Sequence, residues 1–313
     1  MNMLIAALGA AALSAGLNSA FAEAQSRETF EILAPDGHTI AADLALPDGV
    51  SAAVPVVLLI SGSGAQDREA SLFDGRYAAH PAWRDAFIDS GVAVLTFDEA
   101  GQGESGGNWS DMGIHDMVEI GRRLIVRARN HAAIDPHSVF VLGHSEGGMI
   151  ASLISAQDED LAGLVLVASP GRSLPDVLDY QLRLNAAEQT EDPAEREIVF
   201  ENLRAQWMGM IEQNATLLEA FHMDPLALAA GIQSPVIILQ GWSDWQIEPE
   251  QAWSLAQAIR ETGGSVDLHM FADVNHLLIR DPAGETEYQN LTDFTLDAEL
   301  LSTGVDWVLK ATQ

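Results

Sequence analysis

A chain of 313 residues with 48% hydrophobic side chains and a mean hydropathy of +0.08 has material for one large buried core, or for two small domains. Its 15 Lys and Arg stand against 46 Asp and Glu, a formal net charge of −31 with Lys310 as the single lysine, which argues against nucleic acid and anionic membrane surfaces as partners. The absence of cysteine excludes a disulfide framework, a thiol nucleophile and a thiolate metal site.

Met1 to Ala22 carries no charged side chain, ends in Ala20-Phe21-Ala22, and is followed by polar Glu23-Ala24-Gln25-Ser26. That layout predicts a signal peptide over 1–22 and a periplasmic or secreted mature chain, although the Lys or Arg usual near the start is missing. No later stretch is long and apolar enough to span a bilayer. Acidic excess with lysine depletion also suits salty surroundings, where counter-ions screen self-repulsion.

Glu28 to Leu33 and His38 to Leu46, joined by Pro35-Asp36-Gly37, read as two strands and a turn. Pro55 to Ile60 is a wholly apolar run ending in Ser61-Gly62-Ser63-Gly64, as expected of a strand buried on both faces of a parallel sheet. Val92 to Phe97, Ser138 to Leu142, Leu161 to Val167 and Pro235 to Leu239 repeat the pattern, with Val266 to Phe271 as a sixth, edge-like member. Helical periodicity over Ala82 to Ser90, His115 to Asn130, Gly147 to Gln157 and Glu250 to Thr262 alternates with them. Residues 23–313 therefore read as one α/β domain with a mostly parallel central sheet flanked by helices. The stretch of about 173–232 breaks the rhythm: Asp176 to Asn185, Pro193 to Met210 and Asn214 to Phe221 are helical, with no convincing strand between them. It is expected to be a helical cap inserted over the site.

Gly143-His144-Ser145-Glu146-Gly147-Gly148 lies between the apolar strand ending at Leu142 and the apolar helix that begins near Met149. This strand–turn–helix setting gives the G-x-S-x-G pattern meaning, because a turn that sharp needs glycines on both sides of an exposed nucleophile. Here the chain resembles the α/β-hydrolase superfamily, and more narrowly the bacterial secreted esterases related to dienelactone hydrolases and the catalytic domains of prolyl-oligopeptidase-type enzymes. Two further stretches carry the resemblance. Ile60 to Arg68 is similar to the oxyanion loop G-S-G-P-x-D-R, with Ala65 in place of proline, and Phe97 to Ser105 is similar to D-x-R-G-x-G-x-S, with Ala100 in place of arginine. The resemblance implies an α/β-hydrolase fold and serine esterase activity with Ser145 as nucleophile. Asp67 and Arg68 are expected to pair and pin their loop, and Asp98 is given no catalytic role.

Acyl transfer needs two backbone N–H donors for the developing oxyanion. One follows the nucleophile, Glu146; the other is expected from the loop after the first core strand, at Ala65 or its neighbour Gly64. A serine also needs a base, placed after the last core strand, where His276 is the single histidine. His144, in the elbow itself, is expected to point away. Asp244, just beyond the preceding strand, is expected to orient His276, giving the order Ser145, Asp244, His276. Asp273, Glu248 and Asp281 compete for that place; Asp281 follows Leu277-Leu278-Ile279, read as the start of a helix that removes it. Trp207, Met208, Met210, Phe221 and Met223 are candidate acyl contacts, or ordinary core residues of the helical segment. The expected substrate is a small-molecule ester of short to medium acyl chain, with no cofactor and no metal. A thioesterase or peptidase on the same triad, or a binding protein with a relic site, are the alternatives.

Overall fold

A computed structural model describes residues 26–49 and 51–313; the signal peptide expected over 1–22 lies outside the described residues. In chain order the elements are β1 (Ser26–Leu33), β2 (Thr39–Leu46), β3 (Val54–Ile60), a small hairpin β4 (Ser71–Leu72) and β5 (Tyr77–Ala78), α1 (Ala79–Asp89), β6 (Ala93–Phe97), α2 (Ile114–Arg129), β7 (Ile134–His144), α3 (Glu146–Ser155) and β8 (Gly163–Val167). Four helices follow without a strand: α4 (Leu174–Gln189), α5 (Pro193–Ile211), α6 (Ala215–Phe221) and α7 (Pro225–Ala230). The chain then resumes with β9 (Val236–Gly241), α8 (Glu250–Glu261), β10 (Val266–Phe271) and α9 (Ala298–Ala311). Among the described residues no helix is long and apolar enough to cross a membrane.

Eight strands form one sheet in the order β1-β2-β6-β3-β7-β8-β9-β10. β1 and β2 pair antiparallel at one edge, and the six strands from β6 to β10 are parallel. The continuous apolar runs are explained by burial on both faces. Val56, Leu58 and Ile60 of β3 enter one core with Val139 and Val141 of β7, while Val57, Leu59, Phe140 and Leu142 enter the other. The first core is covered by α2, α3 and α8, the second by α1 and α9. Alternation along each strand feeds both layers, which is why these strands read as nearly continuous apolar runs.

Strand order places the site. From β3 the chain moves outward to β6, then crosses back to β7 on the other side of β3. The loops after β3 and β7 therefore part in opposite directions and leave a crevice at their carboxyl ends, where open α/β sheets bind ligands.

The short helix α7 and the C-terminal helix α9 were not expected from the sequence. For α9 the signal was present: Asp297 caps Leu300 N–H, and Leu300, Val305 and Val308 are buried. The expectation of a helix from Leu277 is overturned. Asn275 Oδ1 accepts hydrogen bonds from the N–H groups of Leu277 and Ile279, at 3.0 and 3.2 Å, and Leu278 takes a positive φ of 63°. A side chain that captures these donors competes with helix formation, and all three apolar residues are buried in a loop.

Candidate active site

The turn between β7 and α3 is fixed by close approach. A Cβ at Gly143 would run into the Gly147 carbonyl, one at Gly147 into the carbonyls of Ile60 and Ser61, and one at Gly148 into Ser169. Ser145 itself sits at φ 54°, ψ −122°, a strained conformation for a residue with a side chain, and its N–H bonds Val167 O on the neighbouring strand at 2.9 Å. The strain puts Oγ at the N-terminus of α3, where the helix end is positive.

Oγ–H of Ser145 lies 3.1 Å from His276 Nε2, and His276 Nδ1–H donates to Asp244 Oδ2 at 2.9 Å. Asp244 is fully buried and locked: Oδ2 also accepts from Gln240 Nε2 at 3.0 Å, and Oδ1 accepts from the N–H groups of Gln246 and Ile247, both at 2.9 Å. The carboxylate thus both caps its own turn and meets the imidazole. Two backbone bonds, Trp242 N–H to Phe271 O and Ser243 N–H to Val274 O, hold that turn against the His276 loop at 2.9 and 3.0 Å. A Cβ at Gly241 would strike the Val274 carbonyl, so this contact requires glycine. The competing carboxylates are elsewhere. Asp273 is exposed, Glu248 pairs with Arg172, and Asp281 accepts from Ala283 and Glu285 N–H groups while its own N–H bonds Asp273 O.

His144 does not point away. Its Nε2–H donates to the carbonyl of His276 at 2.9 Å, with ring centroids 5.0 Å apart. Burial, and then the neighbouring His276, push its pKa down to about 3, so it stays neutral. The His276 backbone is further held through Tyr288 Oη, which accepts its N–H at 3.4 Å, and Tyr77 Oη–H, which donates to Leu277 O at 3.1 Å. Nothing in the sequence distinguished these two tyrosines.

Across the crevice, the loop after β3 is held by carboxylates that the sequence reading passed over. Glu99 is buried; its two oxygens accept from Ser61 Oγ at 3.1 Å and from Gln66 N–H at 3.2 Å, closing the loop into a ring. Burial pushes the Glu99 carboxyl up to about 8. A second acid just past a fully buried strand, after Asp98, was the available signal. The expected Asp67–Arg68 pair is not formed: Asp67 Oδ1 accepts from Glu69 and Ser71 N–H groups, while Arg68 meets Asp43, Asp98 and Glu104. Ala100 is completely buried, which leaves no room for the arginine of the related motif.

Ser145 and His276 open on a cavity of about 170 Å³ lined by Gly62, Ser63, Gly64, Glu146, Trp109 and Trp207 among others. Leu174, Val177, Leu178 and Leu217 bring the α4–α6 segment to its wall. Of the candidate acyl contacts only Trp207 reaches the cavity. Met208, Met210 and Phe221 pack on the segment's own apolar cluster, and Met223 on a sheet core, because neighbouring positions of one helix face different ways. Ala65 likewise packs on that cluster, whereas Gly62, Ser63 and Gly64 line the cavity, and a Cβ at Gly62 would lie 3.0 Å from Ser145 Cβ.

Residues 79–299 match the sequence profile of the prolyl oligopeptidase family. The esterase EstD of Thermotoga maritima is 23% identical over 278 residues, 85% of this chain and 65% of that one, so the chain spans slightly under two thirds of that relative. Among solved structures, the Pyrococcus furiosus esterase Pf2001 is similar at a TM-score of 0.64 and 14% identity, with 92% of each chain covered. A Klebsiella pneumoniae protein described as a dienelactone hydrolase is similar at 0.56 and 15% identity, covering 92% of this chain and 99% of that one. The fold shared with both structures is the α/β-hydrolase fold that the sequence led us to expect.

Proposed function

The chain belongs to the prolyl oligopeptidase family of α/β-hydrolases, and from that premise we propose that it is a serine esterase acting on carboxylic esters of short to medium acyl chain. The observation that carries this is the hydrogen-bonded run Ser145–His276–Asp244 opening on an apolar cavity. Relatives named as esterases support the choice of ester over amide.

His276 Nε2 takes the Ser145 proton as Oγ attacks the carbonyl carbon. Asp244 keeps the other imidazole proton on Nδ1, so that Nε2 is the free acceptor. The carbonyl oxygen takes up negative charge at the N–H of Glu146 and at an N–H of the Ser63–Gly64 stretch, favoured here over the expected Ala65 because those two residues line the cavity. Collapse breaks the bond to the alcohol, which leaves with the proton from His276. Water then repeats the sequence on the acyl-enzyme, restoring Ser145 and releasing the acid. The uncharged leader at Met1 to Ala22 supports the further proposal that the enzyme is exported.

A panel of p-nitrophenyl esters with acyl chains of about two to eight carbons tests the reading, each buried methylene adding about 0.8 kcal/mol until the cavity is full. Ser145→Ala is expected to lose on the order of 10⁶ in turnover. Faster cleavage of a peptide p-nitroanilide, an acyl-CoA or a long-chain triglyceride emulsion would move the assignment to another hydrolase class.

A further inference from the structure

Among the residues lining the cavity, Glu146 is the one carboxylic acid. The position after the nucleophile opens α3, where the positive helix end suits an acidic residue. Burial works against the carboxyl there. Glu146 is only 8% exposed, and burial raises its pKa to about 7 against one hydrogen-bonding hydroxyl. Burying an ionisable group with so little compensation costs stability, and such costs concentrate where they serve a site.

Its hydrogen-bond partner among the described residues indicates the use. Glu146 Oε2 accepts from Ser63 Oγ–H at 3.1 Å, a bond between residues 83 positions apart that crosses from the β3 loop to the elbow. The two segments it joins are those that supply the oxyanion donors. Glu99 closes the β3 loop on itself, through Ser61 and Gln66, but does not tie it to the elbow.

We propose that the Glu146–Ser63 hydrogen bond is a latch that sets the spacing of the two oxyanion donors, making Glu146 and Ser63 side chains positioning residues for acyl transfer. The proposal rests on the esterase reading. Donors aimed at the developing oxyanion act only in the transition state. Loosening the latch therefore lowers kcat and leaves KM nearly unchanged, whereas an altered acyl cavity would move KM.

The test is a double-mutant cycle on p-nitrophenyl butanoate, with thermal unfolding of each variant and fluorophosphonate labelling of Ser145 in the wild type. Glu146→Ala and Ser63→Ala are each expected to lower kcat by about tenfold or more, below the 10²–10³ of a deleted donor because the N–H groups remain. The double variant is expected to be no slower than the slower single one, as for two ends of one bond. Glu146→Gln, which keeps an acceptor, should stay within about threefold of wild type. Should Glu146→Ala fail to fold, Ser63→Ala removes the same bond by deleting one oxygen and decides alone. Losses that multiply in the double variant, or a Ser63→Ala enzyme with kcat intact, overturn the latch while the esterase reading stands. A wild type that neither turns over the ester nor is labelled at Ser145 overturns the esterase reading, and the latch with it.

Discussion

Asp244 illustrates how much one carboxylate's surroundings decide. Its Oδ1 is held by two backbone N–H groups, so an asparagine at this position keeps its carbonyl oxygen there and turns Nδ2 toward His276 and Gln240. His276 must then accept at Nδ1 and carry its proton on Nε2, where it cannot receive one from Ser145. Asp244→Asn is therefore expected to lower turnover by about 10⁴-fold with the fold intact, and Asp273→Asn, at an exposed position, by less than about tenfold. Steady-state kinetics on the ester panel check both. A crippled Asp273→Asn enzyme beside a mild Asp244→Asn one would reverse the assignment of the acid. Asp244 was readable from its place after a core strand. His144 was not, because its contact with His276 spans 132 positions and depends on how the two loops pack.

At the scale of elements, the loop after β3 is held by two buried carboxyls from other segments, Glu99 after β6 and Glu146 at the start of α3. Glu99 is pushed up to about 8 and Glu146 up to about 7, each by burial, against an ordinary carboxyl value of about 4.3. Above that ordinary value the unfolded chain has lost these protons, while the folded chain keeps them until its own raised values are passed. The folded state then binds more protons, so stability falls as pH rises through the window. His144 acts in the opposite sense, since burial lowers it to about 3; its contribution is complete once the unfolded histidine is neutral, above about pH 6.5. Between pH 6.5 and 8.5 the carboxyl effect is left unopposed by it. The melting temperature of the wild type is expected to drop across that interval, and that of Glu99→Gln to drop less, since the amide still bonds Ser61 and Gln66. Parallel curves for the two proteins would show that Glu99 is ionised in the folded state throughout.

Over the whole molecule the dominant fact is a net charge of −31. Several of its 15 cations are committed locally: Arg68 to Asp43, Asp98 and Glu104, Arg129 to Asp158, Arg172 to Glu248. The remaining acids repel one another over distances set by the Debye length, which shrinks to about 3 Å in 1 M salt. Sodium chloride raised from about 0.05 M to 1 M is therefore expected to raise the melting temperature. A flat or falling curve would show that the surface spacing already tolerates the charge.

The sequence by itself determined the alternation of strands and helices, the two-faced burial of the sheet, the elbow at Ser145 and the chain order of Ser145, Asp244 and His276. Each of these is written in local pattern: apolar runs of strand length, helical periodicity, glycines flanking a serine, and titratable residues just past strand ends. Only the tertiary structure decided which side chains meet across the crevice. That Trp207 reaches the cavity and Met208 does not, that Ala65 faces the helical segment, and that Glu99 and Glu146 hold the β3 loop all depend on loop packing. The physical reason is range. Hydrophobic periodicity acts within a turn or two of chain, whereas the hydrogen bonds that join the triad, the elbow and the β3 loop link residues 32 to 132 positions apart, brought together only when β3, β7 and β9 take their order in the sheet.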